Sequence, residues 1–458
     1  MGRIRFLLAL WISKGGRLAL RILRRNATYF PGVVALKLCP DFLARIGKPK
    51  RIIAVTGTNG KTTVSNLLND VLRQNGRRVL NNQLGSNVAA GIATSLLLGC
   101  GLFGKAKYDT AVLEVDERSS GRIYPFVKPE ILVITNLFRD SIMRNAHPQY
   151  IAGIIEGVVP ETTKLILNAD DLISSGICPD NPRVYFGLDQ LKTDVTECIN
   201  LINDMQICPV CRGELIYDYR RYHHIGKAHC RDCGFKSPES DYLATDIDIG
   251  AMAMTVADKD GRTHYNLLSD SIFNIYNTVT VIAALREFGL SHDEIKAGVA
   301  KTKIVETRFN IQQAGDVKVV MQMSKDRNAL ACSRAFDYIS GFPGDKEIIL
   351  MMNNLSDDLR WSENVAWLYD SDFEFLNKDN ITRLVATGPR ARDYYLRLLM
   401  AGVPEEKLRC TLHEMDAPEL LDYKKGSSVC LFYGTDAIKL VYKVQGRIKK
   451  LAQEAATQ

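Results

Sequence analysis

The chain has 458 residues, 46% hydrophobic and 24% charged, with a net charge of +7. That length exceeds one hydrophobic core and implies two or three domains, and the composition is that of a globular protein, not a disordered or fibrous one. The mild positive balance, with no basic stripe interleaved with aromatics, argues against nucleic acid as a partner.

Within residues 1–50, Asp41 is the only acid. The positive excess gathered there suits an anionic partner, a membrane surface or a phosphorylated substrate. Phe6–Ile12 is apolar, but Lys14 and Arg17 follow closely. The run is too short to span a bilayer, and no small-residue cleavage site follows it. A basic amphipathic helix of this kind can make peripheral membrane contact. The preferred reading is an ordinary N-terminal helix packed on the next domain. Eleven cysteines, an odd number, with no secretion signal, point to a reducing cytoplasm and to metal in place of disulfides.

Arg51–Val55 is a short β-branched run, read as a buried parallel strand. Thr56-Gly-Thr-Asn-Gly-Lys-Thr-Thr63 follows, and then Val64, Leu67, Leu68, Val71 and Leu72 fall on one helical face. A glycine loop that leaves a strand and opens a helix cradles phosphates with its backbone N–H groups and the helix dipole. The loop therefore implies a nucleoside triphosphate, held by Gly57, Thr58, Asn59, Gly60, Lys61, Thr62 and Thr63. Lys61 would reach the terminal phosphates and act in catalysis, and the Thr62 hydroxyl would ligate Mg²⁺. The spacing is shorter than in the full P-loop, because Val55 stands where a first Gly would fall. Only about 50 residues precede the strand, too few for a separate nucleotide-sugar domain of typical size.

The apolar stretches Thr110–Val115, Ile131–Thr135 and Leu165–Leu167 continue a parallel sheet alternating with helices. Glu114 ends one strand and would face the crevice beside the loop, where it could hold Mg²⁺; Asp116 and Glu117 are nearby alternatives. Cys208-Pro-Val-Cys211 and Cys230-Arg-Asp-Cys233 enclose 18 residues, a spacing that fits a four-thiolate Zn²⁺ ribbon. Four thiolates fill a tetrahedral shell, so that site should be structural. Gly213 and Gly234 would permit tight turns around the sulfurs. His223, His224 and His229 are read as surface residues. Residues 242–268 alternate around Asp258-Lys-Asp-Gly261, a hairpin signal. A helix is expected over Ile272–Phe288, and Ser291-His-Asp-Glu294 is a capping box for another. Asn274 and Asn277, one turn apart, could read an adenine edge or ribose, or serve as a helix cap and an exposed amide.

The composition changes near Thr302–Phe309, and a second α/β alternation begins. Asp316–Met323, Glu347–Met352 and Thr382–Ala386 read as strands, and Arg390–Met400 as a helix. The boundary is placed near residue 305. Cys332 and Cys430 lack a Gly-flanked elbow and read as buried or incidental thiols.

These residues together resemble the Mur ligase family, and within it the MurT ligases, nearly end to end. The likeness rests on Thr56–Thr63, Asn82-Gln-Leu-Gly-Ser-Asn87, Val112-Leu-Glu-Val-Asp-Glu117, Thr135-Asn-Leu-Phe-Arg-Asp140, Phe273-Asn-Ile-Tyr-Asn277 and Thr387-Gly-Pro-Arg-Ala-Arg-Asp393. Its most specific stretch is Cys208–Pro238. The resemblance implies an α/β fold with a basic helical segment at 1–48 and a Mur ligase-type ATP-binding domain at 49–304. That domain carries the zinc ribbon as an insertion at 205–238, and a smaller MurT-type α/β domain follows at 305–458. It implies that ATP phosphorylates the α-carboxylate of D-glutamate in the stem peptide of lipid II, and that ammonia then attacks the acyl phosphate to leave isoglutamine. The ammonia would come from a GatD-like glutaminase subunit in a heterodimer, at the inner face of the cell membrane.

The C-terminal motifs depart from the family. Where its members carry Asp-Gly-Arg-Asp and a Trp-Ile-Trp-Asp-like stretch, this chain reads Asn353-Asn-Leu-Ser-Asp-Asp-Leu-Arg-Trp-Ser-Glu-Asn-Val-Ala-Trp-Leu-Tyr-Asp370. Asp358, or Asp357, is the nearest stand-in for the catalytic carboxylate. Lys325-Asp-Arg-Asn-Ala329 replaces Lys-Asn-Pro-x-Gly, and Glu306-Thr-Arg-Phe309 replaces a Phe-Gly-Arg element, with Arg308 left to meet the ATP phosphates or ribose. Two rival readings stand beside amidation. One is another Mur-type carboxylate–amine ligase, such as a folylpolyglutamate-type enzyme. The other is a MurT-like paralogue that binds ATP or a partner without forming the amide.

Overall fold

The computed structural model describes residues 2–23, 28–83, 86–139, 147–302, 309–324, 328–352, 365–434 and 437–457. The chain folds as two units. The first holds Met1–Leu137, Pro148–Ile199 and Asn203–Ile304; the second holds Phe138–His147, Asn200–Ile202 and Val305–Gln458.

In the first unit the strands are β1 (Arg51–Thr56), β2 (Val79–Asn81), β3 (Thr110–Glu114), β4 (Ile131–Ile134), β5 (Lys164–Asn168), β6 (Arg183–Leu188), β7 (Leu215–Tyr222), β8 (Ile225–Cys230), β9 (Tyr242–Asp248), β10 (Ala253–Asp258) and β11 (Gly261–Asn266). Nine of them form one sheet in the order β11-β10-β9-β6-β5-β4-β1-β3-β2. From β2 to β9 the pairs are parallel, and β10 and β11 close the edge antiparallel. The parallel strands are buried on both faces, which is why β1, β3 and β4 read as unbroken apolar runs. β1 lies between β3 and β4, so the chain leaves its C-terminal end where successive crossovers part to opposite sides. That is where open α/β sheets bind ligands.

Helices α1 (Gly2–Ile22), α2 (Phe30–Leu38), α3 (Phe42–Arg45), α4 (Lys61–Gln74), α5 (Ala89–Leu98), α6 (Ser120–Ile123), α7 (Pro148–Glu156), α8 (Ile272–Phe288) and α9 (His292–Val299) accompany this sheet. In α4, Val64, Leu67, Leu68, Val71 and Leu72 are all buried. α8 has the bounds its sequence pattern gives, and α9 starts on a complete capping box between Ser291 and Glu294. β7 and β8 form a separate hairpin; with Cys208–Cys211 ahead of it and Cys230–Cys233 at its end, it makes the ribbon.

The second unit has β12 (Phe309–Ala314), β13 (Val317–Met323), β14 (Lys346–Met351), β15 (Ile381–Thr387), β16 (Leu408–Thr411) and β17 (Ser428–Tyr433), in the order β12-β13-β17-β14-β15-β16. Only the β12–β13 pair is antiparallel. Helices α10 (Ala329–Ser340) and α11 (Ala391–Met400) pack with one face, around Phe336, Phe373 and Tyr394. Helix α12 (Ile438–Ala456) covers the other through Val441, Val444 and Ile448. Asn200 and Leu201 join this unit, where Asp372 accepts from the Asn200 side chain at 2.8 Å and from the Leu201 amide at 2.6 Å.

Candidate functional site

The loop after β1 is built for close approach. Gly57 and Gly60 have φ of 122° and 88°, values that L side chains rarely adopt. A Cβ on Gly57 would lie 2.2 Å from Thr135 Oγ1, and one on Gly60 would lie 2.4 Å from Asn277 Oδ1. The loop is held from β4 by the segment Thr135-Asn136. The Thr58 amide donates to the Asn136 carbonyl at 2.8 Å, and the Asn59 amide to Asn136 Oδ1 at 3.0 Å. The Thr135 hydroxyl and the Asn136 side-chain Nδ2 donate in turn to the Asn59 carbonyl, at 2.6 and 3.1 Å. Gly60 is the N-cap of α4 and no side chain caps its first turn, which suits that turn to phosphate oxygens.

Lys61 folds back over the loop. Its ammonium donates to the Gly57 carbonyl and pairs with Glu117 Oε1 at 2.8 Å. Burial raises the Glu117 carboxyl above the usual carboxylate range despite Lys61 beside it. Thr62 is exposed on the first turn, with Thr63 half-buried beside it.

Glu114 lies next to the start of the loop, since β3 pairs with β1 and Glu114 is in register with Val55. It is half-buried and clamped by the segment that follows β2. Asn82 exchanges two 2.9 Å bonds with the Glu114 backbone, and Asn87 donates to Glu114 Oε1 at 3.0 Å. The nearby acids have other work. Asp116 caps the turn Glu117–Ser119, and Glu117 holds Lys61. Asn274 and Asn277 lie in the first turns of α8, bonded to each other at 3.3 Å, with Asn277 against Gly60. Thr62 and Glu114 offer the hard oxygen donors that Mg²⁺ takes. Arg308, Asp357 and Asp358 lie outside the described residues, as do Lys325 and most of Asn353–Asp370.

All eleven cysteines are free thiols. Cys208, Cys211, Cys230 and Cys233 gather their sulfurs within 4.8 Å of one another. The pairs Cys208–Cys233 and Cys211–Cys230 stand at 3.6 and 3.4 Å. Four sulfurs at a Zn–S bond length of about 2.3 Å would be about 3.8 Å apart in a tetrahedron, so the spacing fits one ion. The amides of Val210, Gly213 and Asp232 point at Cys208, Cys211 and Cys230 at 3.3–3.4 Å, as donors to thiolates do.

The histidines of the ribbon require a correction. His223 and His224 are buried, not on the surface. His224 bonds Asp171 Oδ1 at 3.1 Å, and Asp171 Oδ2 accepts from the Leu137 amide at 2.8 Å, next to the Asn136 that holds the loop. Burial works to raise the Asp171 carboxyl, but His224 and the amide donors outweigh it and hold it below the usual range. A second path runs through Arg221, whose side chain is 3% exposed. It meets Asp170 at 3.2 Å, Asp194 at 2.8 Å and the Tyr276 hydroxyl. Tyr276 donates to Asp170 at 2.6 Å and precedes Asn277. The ribbon hairpin is thus bonded both to the strand end that clamps the loop and to the helix that touches it. Asp170, Asp171, Arg221, His224 and Tyr276 escaped sequence reasoning; the acidic doublet ending a buried strand was the available signal.

This sheet, its phosphate loop and the smaller parallel sheet that follows are the fold of a Mur-type ligase. Residues 55–200 match the Mur ligase middle domain and residues 326–432 the MurT ligase C-terminal domain. The fold is similar to that of a pseudomurein peptide ligase type C from Methanothermus fervidus, with a TM-score of 0.66 and 20% identity over 90% of this chain and 81% of that chain. MurF from Thermotoga maritima in complex with ADP gives 0.57 and 16%, over 93% and 84%. In sequence the chain is 30% identical to subunit MurT of the glutamine-hydrolysing lipid II isoglutaminyl synthase of Staphylococcus aureus over 399 residues, 86% of this chain and 88% of that protein. The same subunit of Streptococcus pneumoniae is 30% identical over 404 residues, 88% of each chain. The chain belongs to the MurT family. It is an ATP-dependent carbon–nitrogen ligase of the Mur type, in peptidoglycan synthesis.

Proposed function

We propose that the chain is the amide-forming subunit of a lipid II isoglutaminyl synthase. The observation that carries this reading is the match to MurT subunits, which spans both units of the chain. In the proposed reaction a carboxylate oxygen of the stem-peptide D-glutamate attacks the γ-phosphorus of ATP, and the bond to ADP breaks. Ammonia then attacks the acyl carbon of the mixed anhydride. A C–N bond forms, phosphate leaves with its electron pair, and the amine sheds a proton. In-line transfer of this kind needs positioning and charge neutralisation more than covalent help. The loop Gly57–Thr63 supplies the amides. Lys61 exchanges Glu117 and the Gly57 carbonyl for the terminal phosphates, and Asn277 and Asn274 bound the nucleotide beside Gly60.

Thr62 and Glu114 would hold Mg²⁺, which supplies Lewis-acid stabilisation of phosphate charge when bound. The four cysteines would hold Zn²⁺ in a structural role. Asp358 or Asp357 would act at the acceptor, and Arg308 at the ATP phosphates or ribose. A GatD-like glutaminase would deliver ammonia, and a lipid-linked substrate would put the reaction at the inner face of the membrane.

The test is incubation with ATP, Mg²⁺, ammonium and lipid II, with the stem peptide read by mass spectrometry. Amidated product supports the reading. ATP binding without product would favour a paralogue that does not amidate, for which the altered segment Asn353–Asp370 is the motivating feature. Product that survives both Asp358→Asn and Asp357→Asn would remove those acids from the mechanism.

A further inference from the structure

Helix α1 is packed on one side and bare on the other. Phe6, Ala9, Leu10 and Ser13 are buried against the first unit. On the opposite face, at helical spacing, Ile4, Leu8, Trp11, Leu18 and Ile22 are 67%, 50%, 44%, 61% and 73% exposed. The loop after α5 extends this stripe. Leu102 and Phe103 are 66% and 75% exposed, and the Trp11 indole donates to the Leu102 carbonyl at 2.8 Å. Scattered exposed leucines need no explanation, but a contiguous apolar surface marks an interaction site.

The charge around the stripe identifies what it meets. Residues 1–50 carry eleven Lys and Arg against Asp41 alone. Arg3 and Arg21 stand exposed on α1, and Lys105 and Lys107 are exposed just beyond the loop. Among the described residues no helix is long and apolar enough to cross a membrane. Large aliphatic and aromatic side chains rimmed by cations, on a helix that cannot span, are the pattern of a helix lying in the headgroup boundary.

We propose that this face of α1, with the loop at 101–104, docks the chain on an anionic bilayer surface. The apolar stripe enters the headgroup boundary, and Arg3, Arg21, Lys105 and Lys107 meet lipid phosphates. This deepens the reading of a lipid-linked substrate and rests on it for its meaning, but its test needs no turnover. Failure of either leaves the other standing.

The test is flotation of the full chain with vesicles of phosphatidylglycerol or of phosphatidylcholine alone. The chain should float with the first and not the second, and added salt should weaken binding, because surface charge is screened. Leu8→Ser with Leu18→Ser should lower binding by about tenfold or more, with thermal unfolding unchanged, since both side chains face solvent. Phe103→Ser should act in the same direction. Failure to float with phosphatidylglycerol would overturn the proposal, as would flotation that these variants leave unchanged. A wild-type chain that is dimeric without lipid, with the variants monomeric, would also overturn it and assign the face to a second copy.

Discussion

The phosphate loop and the cysteine ribbon are both short motifs of the first unit, yet they are held in opposite ways. The loop works through backbone. Its glycines make room, no side chain caps the first turn of α4, and it is held in place by Thr135, Asn136 and Asn277. The ribbon works through side chains, four sulfurs gathered on two knuckles that set the hairpin between them. What joins them is neither motif but a buried polar layer. His224 and Asp171 reach the segment that clamps the loop, and Arg221, Asp170 and Tyr276 reach α8. A loop made of backbone cannot hold its own geometry, and here the inserted hairpin supplies part of the frame.

The sharpest way to break this comparison is to take away the zinc proposed for the four cysteines. Structural zinc contributes about 10–16 kcal/mol in zinc-finger peptides, so chelation, or Cys230→Ser, should have the largest effect. The melting temperature should fall, and ATP affinity with it, because Arg221 and His224 sit on the same hairpin. ATP titration of the chelated protein decides the point; unchanged affinity after loss of the metal would separate loop from ribbon. Next in size is Arg221→Met, which leaves Asp194 without its cation and Asp170 with Lys227 alone. Breaking a buried ion pair in this way costs about 3–5 kcal/mol, to be read by urea unfolding. Arg221→Lys should recover little, since a single ammonium cannot reproduce the planar fork. Lys61→Ala should act on the other side of the comparison. Loss of one preorganised electrostatic donor costs about 10²–10³ in kcat, measured as ATP-dependent turnover. Because Lys61 also pairs with the buried Glu117, urea unfolding run alongside separates lost stability from lost turnover.

The two motifs were legible in the sequence because each is local. A β-branched strand, a glycine loop and an amphipathic helix agree over Arg51–Leu72, and the Cys-x-x-Cys spacing needs no fold to be read. The bounds of α8 and the Ser291 box were legible for the same reason. The layer between the motifs was not, because its members come from the turn after β5, from β7, the hairpin turn and α8, and none is unusual among its own neighbours. His224 looked like a surface residue of a polar loop until Asp171 stood against it. Helix α1 shows a different limit. Apolar residues lie on both its faces, so packing on the next domain accounts for only half of them. In the second unit β13, β14 and β15 were legible as apolar runs, but β16 and the central β17 were not read, and the acids at 357 and 358 lie outside the described residues.

The smallest expected effect is the most selective for the layer itself. Asp171 is held below its ordinary range by His224 and by amide donors that include Leu137. A carboxylate with a depressed folded pKa stabilises the fold at pH values above its unfolded value of about 3.9 and loses that contribution as pH falls through the folded value. Asp171→Asn should therefore be less stable than wild type at neutral pH, by an amount that stays constant down to about pH 4 and shrinks below it. Urea unfolding at a series of pH values gives the two curves. Convergence in acid would show that the ionised carboxylate holds the clamp. A gap that stays constant through the acid range would mean that the shape of the side chain matters and its charge does not, and the link from ribbon to phosphate loop would then rest on Arg221 alone.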